Sequence, residues 1–174
     1  MDISKFKNTL NGGVKSNLYK VELTFPSISG MPTGVEEKLE FLCKGTSIPQ
    51  SALSVIEIPY AGRIIPLPND RTFDEWSITV YNDPKLDLRT AFEMWSAAFN
   101  GHESNTNSMD VADLMVVAKV HQLNRAGTVL KSWEFQDVWP TTVSNIDLSY
   151  DSSDSLEEFT VSLRYTLWKS NNTN

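Results

Sequence analysis

The sequence predicts a mainly β protein, an antiparallel β-sandwich or barrel with one flanking α-helix and an extended apolar arm. Three observations carry that expectation. Most of the 174 residues alternate apolar and polar side chains with period two. One segment, PKLDLRTAFEMWSAAF, instead has helical spacing. Residues 48–68, IPQSALSVIEIPYAGRIIPLP, are apolar but fit neither pattern.

The first strand is NLYKVELTF, where Tyr19, Val21, Leu23 and Phe25 alternate with Lys20, Glu22 and Thr24. Residues 26–38 are rich in Gly, Pro and Ser and read as a loop, followed by a strand-like LEFLCKG. EWSITVY sets Trp76, Ile78 and Val80 on one face. The helix follows. Leu88, Phe92, Trp95 and Phe99 form a single stripe, with Asp83 as cap, Pro84 at the first helical position and Asn100-Gly101 as the stop. Such a stripe suits packing onto a sheet better than lining a ligand pocket. After a polar loop at 100–110, LMVVAKVHQL and TVLKSWEF form a hairpin over Asn124-Arg125-Ala126-Gly127. VSNIDLSY and EEFTVSLRYTLW close the chain as two strands joined by the turn DSSDS, with Phe159, Val161, Leu163, Tyr165 and Leu167 on one face. No second-domain linker or repeat is visible, so residues 1–174 read as one domain, with 1–16 and 169–174 as flexible or interface-dependent ends.

The arm is the outlier. Eleven of its twenty-one residues are apolar, and only Glu57 and Arg63 are charged. Four prolines rule out a long helix and a central strand, because each removes an N–H. Two short extended pieces, 53–58 and 63–67, folded over Tyr60-Ala61-Gly62 satisfy these limits. The chain that follows crowds Asp70, Arg71, Asp74 and Glu75, and Asp70, Arg71 and Asp74 read as an ion-pair cluster fixing the arm's exit. Alternatively, Arg71 reaches an acid of a neighbouring copy.

The formal net charge is −7, unevenly spread. Residues 1–20 hold four lysines against Asp2, whereas 132–163 hold seven acids and no lysine or arginine. That balance disfavours binding nucleic acid by neutralising phosphates. Opposite charge at the two ends suits head-to-tail contact between copies, and equally an acidic face that is simply solvated. No apolar run approaches the roughly 20 residues that cross a bilayer, and the N-terminus lacks the apolar core of a secretory signal. A lone Cys43 allows no internal disulfide and suits a reducing compartment. His102 and His121 lack ligands at metal spacing. Asp147, Asp151 and Glu158 imitate a calcium loop, but Ser152 stands where the sharp turn needs glycine. With no nucleophile elbow, phosphate loop or carboxylate dyad, no enzyme, metal or cofactor is expected.

Several motifs resemble the tail tube proteins of contractile-tailed bacteriophages. They are N-D-R-T-F-D-E-W-S-I-T-V-Y-N-D at 69–83 followed directly by the helix, N-L-Y-K-V-E near the start, F-L-C-K-G-T-S-I-P at 41–49, V-W-P-T-T-V at 138–143 and the closing strand into Trp168. The similarity spans residues 17–168, and the 26–38 and 100–110 loops depart from it. The resemblance implies hexameric rings stacked into a hollow tube, with sheets of neighbouring copies joined into one barrel. Residues 48–68 would then be an inter-subunit arm, buried through Ile48, Leu53, Val55, Ile56, Ile58, Tyr60, Ile64, Ile65 and Leu67. The implied partners are further copies of the chain, a tail sheath protein outside, baseplate and tube-terminator proteins at the ends, and a tape-measure protein and DNA passing through the lumen without specific binding. No membrane is implied. The implied location is the virion, with host cytoplasm during assembly. Asp147, Asp151, Asp154 and Glu157 are the candidates for lining an acidic bore. Two other readings stand beside this: the tube of a phage-tail-like secretion or toxin-delivery machine, and a monomeric β-barrel binding a small apolar ligand with 48–68 over its mouth.

Overall fold

The computed structural model describes residues 2–107, 109–151 and 154–171. Alternation dictates strands, and the strands form one antiparallel sheet in the order β1-β6-β7-β8-β5-β2. These are β1 (Tyr19–Leu23), β2 (Cys43–Thr46), β5 (Trp76–Tyr81), β6 (Val116–Leu123), β7 (Val129–Val143) and β8 (Glu158–Arg164), with β9 (Leu167–Ser170) added beside β7. β3 (Ala52–Tyr60) and β4 (Arg63–Thr72) pair with each other as a separate two-stranded sheet. The two ends of the main sheet curl towards each other: the Tyr19 hydroxyl on β1 donates to the Cys43 carbonyl on β2 across 3.0 Å. A side-chain bond thus links the edges where no ladder joins them.

β7 shows how the sheet turns a corner. Trp133 and Phe135 face the core, and so do Val138 and Pro140, one register out of step. The slip occurs at Asp137, whose φ of +57° inserts an extra residue. Before it β7 pairs with β6 and β9; beyond it Val138 keeps one β6 partner, Val116, and from Trp139 onward β7 pairs with β8. Asp tolerates this left-handed conformation better than most residues because its short carboxylate bonds locally.

Among the described residues four helices accompany the strands: α1 (Ile3–Leu10), α2 (Val35–Leu42), α3 (Asp87–Phe99) and the single turn α4 (Val111–Leu114). α3 packs against β7 and α2, and α2 against β1. Leu88, Phe92 and Trp95 are fully buried as the stripe requires, while Phe99 is half-buried against Trp139 with ring centres 5.9 Å apart. The Trp95 indole nitrogen donates to the Leu114 carbonyl at 2.8 Å. Trp76 stacks on Phe135 at 4.5 Å, and Phe25 meets Phe92 and Trp95 edge-on. One continuous core results.

Four sequence expectations need correction, and residues 1–16, expected as a flexible or interface-dependent end, carry α1, capped by Asp2 and stopped by Asn11 in the left-handed conformation. Its signals were the 3-and-4 spacing of Ile3, Phe6 and Leu10 and the Asn-Gly stop. The 26–38 loop and LEFLCKG share a helix, α2, because Val35, Leu39 and Leu42 repeat at four and three and bury against β1, so only Cys43–Thr46 is strand. α3 begins three residues after Pro84. Asp83 closes a turn onto Leu86, then accepts from the Leu88 N–H at 3.2 Å as a cap set back from the helix. VSNIDLSY is not a strand beyond Val143, since β7 already supplies the neighbour of β8. Finally, the closing alternation is broken at Tyr165-Thr166, where β8 gives way to β9 on a different stretch of β7. The DSSDS turn lies partly outside the described residues.

Candidate assembly surface

The arm is a β-hairpin whose geometry follows from its sequence. Ala61 and Gly62 occupy the two turn positions with φ of +46° and +77°, the sign that a two-residue hairpin turn needs at both places. Tyr60 faces Arg63 across it. The pair flanking such a turn exchanges both backbone hydrogen bonds, and pairs then alternate along the ladder. Pro59, Pro66 and Pro68 therefore all fall in pairs that do not bond across the hairpin, namely Pro59–Ile64, Glu57–Pro66 and Val55–Pro68. A proline costs nothing there, because the missing N–H would point away from the partner strand. It also strips the outer edge of β4 of donors at 66 and 68, which blocks another strand from adding to that edge.

The same register sorts the side chains into two faces. Ile56, Leu67, Ile58, Ile65 and Tyr60 share one, and Val55, Ile64 and the three prolines share the other with Glu57. Ile48, Leu53, Val55, Ile56, Ile58, Tyr60, Ile64, Ile65 and Leu67 are all exposed, between 43% (Ile58) and 71% (Tyr60). No β4 residue is buried. An isolated hairpin is marginal in water, and one apolar on both faces leaves a contiguous patch that soluble monomers rarely carry.

The base of the arm is fastened to the core by uncharged and half-charged bonds. The Trp168 indole donates to the Gln50 carbonyl at 3.2 Å, the Gln50 amide donates to Asp74, and Ser54 Oγ donates to the Asp70 carbonyl at 3.0 Å. Arg71 donates to Ser51 Oγ. Asp70, Arg71 and Asp74 thus do not form an ion-pair cluster among themselves: Arg71 and Asp74 each turn to residues 50–51 on the opposite strand's approach, because cross-strand partners are nearer than sequence neighbours on alternating faces. The ion pair nearby is Glu75 with Arg164, at 3.3 Å.

The acidic residues singled out in the sequence lie on the connection between β7 and β8. Asp147, Asp151, Asp154 and Glu157 are exposed, and no ion pair among the described residues involves them. Neighbouring Glu158 pairs with Lys44, which removes it from the calcium-like pattern. Among the described residues no three His, Cys, Asp or Glu side chains cluster to hold a metal. His121 is held between Ser132 (2.7 Å) and Glu22 (3.5 Å) as part of the sheet surface. Burial pushes the Cys43 thiol up to about 11, so it is protonated at neutral pH and packs as a small hydrophobe.

A β core with helices on its flank and an uncovered apolar hairpin defines the class: a mainly β domain with a large exposed apolar patch. The chain belongs to the phage tail tube protein family, whose sequence profile matches residues 14–171. It is 31% identical to tail tube protein gp19 of Enterobacteria phage T4 over 156 residues, covering 89% of this chain and 90% of that one. It is 28% identical to a tail tube protein of Serratia phage KSP90, covering 94% and 93%. The fold is similar to a chain in the sheath–tube complex of an extracellular contractile injection system in the extended state (TM-score 0.62, 14% identity, 98% of each chain). The resemblance read from the sequence motifs therefore holds at the level of the family.

Proposed function

We propose that this chain is the structural subunit of a contractile phage's inner tail tube, in which hexameric rings stack into a hollow conduit for DNA. The observation that carries the reading is the hairpin exposed on both faces in a member of this family. A contact between unlike surfaces closes into a ring when its rotation closes and extends into a filament when it does not, and a tube needs both. The arm's apolar faces lie on neighbouring copies, burying Ile48, Leu53, Val55, Ile56, Ile58, Tyr60, Ile64, Ile65 and Leu67. Arg71, next to the arm's base, is placed to meet an acid of an adjacent copy. The sheath surrounds the tube, baseplate and terminator proteins cap its ends, and the tape-measure protein and DNA occupy the bore. Assembly takes place in the host cytoplasm, and the product is part of the virion.

The test is electron microscopy of the purified chain across a concentration series, beside Ile56→Asp/Ile65→Asp. Both residues project from one face of the hairpin, outside the core, so the variant should fold, stay soluble and form neither rings nor tubes. Normal tubes from the variant would defeat the role given to the arm. A bore that repels DNA would be acidic, and Asp147, Asp151, Asp154 and Glu157 are its sequence candidates. Tubes that survive exchange of two of them for lysine would support a bore position, and loss of assembly would put them between copies. A ligand-binding barrel with 48–68 folded over its mouth would shelter apolar side chains of the arm, whereas Leu53, Val55, Ile56, Ile58, Ile64, Ile65 and Leu67 are all exposed. The phage reading is favoured over a secretion or toxin-delivery tube by the 31% identity to a phage tail tube protein.

A further inference from the structure

We infer that the free edge of β3, and not that of β4, pairs with a strand of a neighbouring copy, so that the arm extends a sheet across the subunit boundary. This rests on the proposal that the arm is an assembly element, and it adds which part of the arm makes backbone bonds. The hairpin is a sheet of two strands, so among the described residues each strand has one edge without a ladder partner. The register fixes which groups lie on those edges. Tyr60–Arg63, Ile58–Ile65 and Ile56–Leu67 bond across the hairpin, and the residues between them turn their backbone groups outward. On β3 these are Val55, Glu57 and Pro59, and on β4 they are Ile64, Pro66 and Pro68.

The two edges therefore differ in chemistry. β3 offers the N–H groups of Val55 and Glu57 together with the carbonyls of Val55, Glu57 and Pro59. β4 offers the carbonyls of Ile64, Pro66 and Pro68 but only one donor, at Ile64 beside the turn. In the separate chain these groups meet water, since all six residues are exposed. Covering the apolar faces of the arm with neighbouring copies removes that water. A buried N–H without a partner is rarer than a carbonyl short of one, and leaving it unpaired is costly. β4 thus loses its water at little cost, whereas β3 demands acceptors. Val55 and Glu57 stand one strand repeat apart, about 7 Å, the spacing at which a second strand presents its carbonyls. The Glu57 side chain does not obstruct that strand, because it stands across the sheet and not in the plane of the edge. Two β3 edges paired about a two-fold axis would close as a dimer, so in a tube β3 meets a different strand of the next copy.

The experiment deletes backbone donors one at a time in the full chain. Val55→Pro and Glu57→Pro each remove an outward N–H and leave the hairpin's own ladder whole, at the kind of position that Pro59, Pro66 and Pro68 already hold. Microscopy and sedimentation then compare each with the alanine variant at the same position, which keeps the N–H. The proline variant should need a concentration about tenfold or more higher to form tubes. Ile64→Pro should assemble like Ile64→Ala, because its donor lies on the edge that stays unpaired. Dilute samples of every variant should melt with the parent, since no residue of β3 or β4 is buried. Hydrogen exchange gives a reading that needs no variant. In parent tubes the amides of Val55 and Glu57 should exchange about a hundredfold or more slower than in the dilute chain. Proline variants at 55 and 57 that match their alanine counterparts, an equal loss at Ile64, or unchanged exchange at Val55 and Glu57 overturns the pairing. Any of these beside a failed Ile56→Asp/Ile65→Asp leaves the arm as an apolar contact alone, whereas tubes from that double variant sink the arm reading itself. A parent that stops at dimers or stays monomeric at every concentration overturns both.

Discussion

Individual residues in this protein are decided by what they face, and three can be tested directly. Trp95 fills the centre of the helix–sheet interface and satisfies the Leu114 carbonyl. Trp95→Ala should cost about 3–5 kcal/mol of unfolding free energy through cavity formation, measured by urea titration, and Trp95→Phe about 1–3 kcal/mol through the orphaned carbonyl. Asp137 holds a left-handed conformation that a β-branched residue resists. Asp137→Val should lose about 1–2 kcal/mol, whereas Asp137→Gly should be tolerated. Burial pushes the Asp83 carboxyl up, but the Lys38 ammonium at 2.9 Å and the Leu88 N–H outweigh it and hold it below the usual carboxylate range. Folding therefore favours the ionised form. Its stabilisation is complete above the ordinary carboxylate range and fades as pH falls through the lowered value. The gap in melting temperature between the parent and Asp83→Asn should be widest near neutrality and close on acidification.

At the scale of elements, the hairpin shows how local chemistry and global context divide the work. Its turn, its register and its outward prolines are all set within residues 52–72. The turn still carries Ala61 at φ +46°, a position glycine accepts with less strain. Ala61→Gly should close the hairpin more firmly, by about 1 kcal/mol. Slower hydrogen exchange at the amides of Ile56, Ile58, Ile65 and Leu67 would show it, while unchanged exchange would mean that the turn does not limit the arm. Alternation made β1, β5, β6 and the first half of β7 readable, because each has one face on the core. LEFLC in α2 alternates as well as it repeats at four, so its spacing fits a strand and a helix equally. Which period wins depends on Leu39 burying against β1, a contact between distant parts of the chain.

For the whole molecule, the closed core and the exposed arm separate folding from assembly. The subunit has a continuous core of its own, so the arm variant should unfold at the same temperature as the dilute parent. Assembly binds only the folded state, so the parent's melting temperature should rise with concentration while that of Ile56→Asp/Ile65→Asp stays level. Scanning calorimetry across a hundredfold concentration range would detect this. A formal charge of −7 opposes association between copies except where unlike charges meet across the contact. Added salt should therefore weaken charge-matched contacts and leave the apolar ones intact.

The sequence by itself determined the fold class, the burial of the α3 stripe, the turns at 60–63 and 124–127, and the apolar arm, because each is written in the spacing and type of neighbouring residues. Tertiary structure alone decided the rest. It decided that β7 slips register at Asp137 and then passes to β8, that α2 is helical, and that the closing alternation splits into two strands. It also decided that Arg71 and Asp74 bond to Ser51 and Gln50 instead of pairing. These outcomes depend on which strands and side chains become neighbours across the core, and distance along the chain carries no record of that.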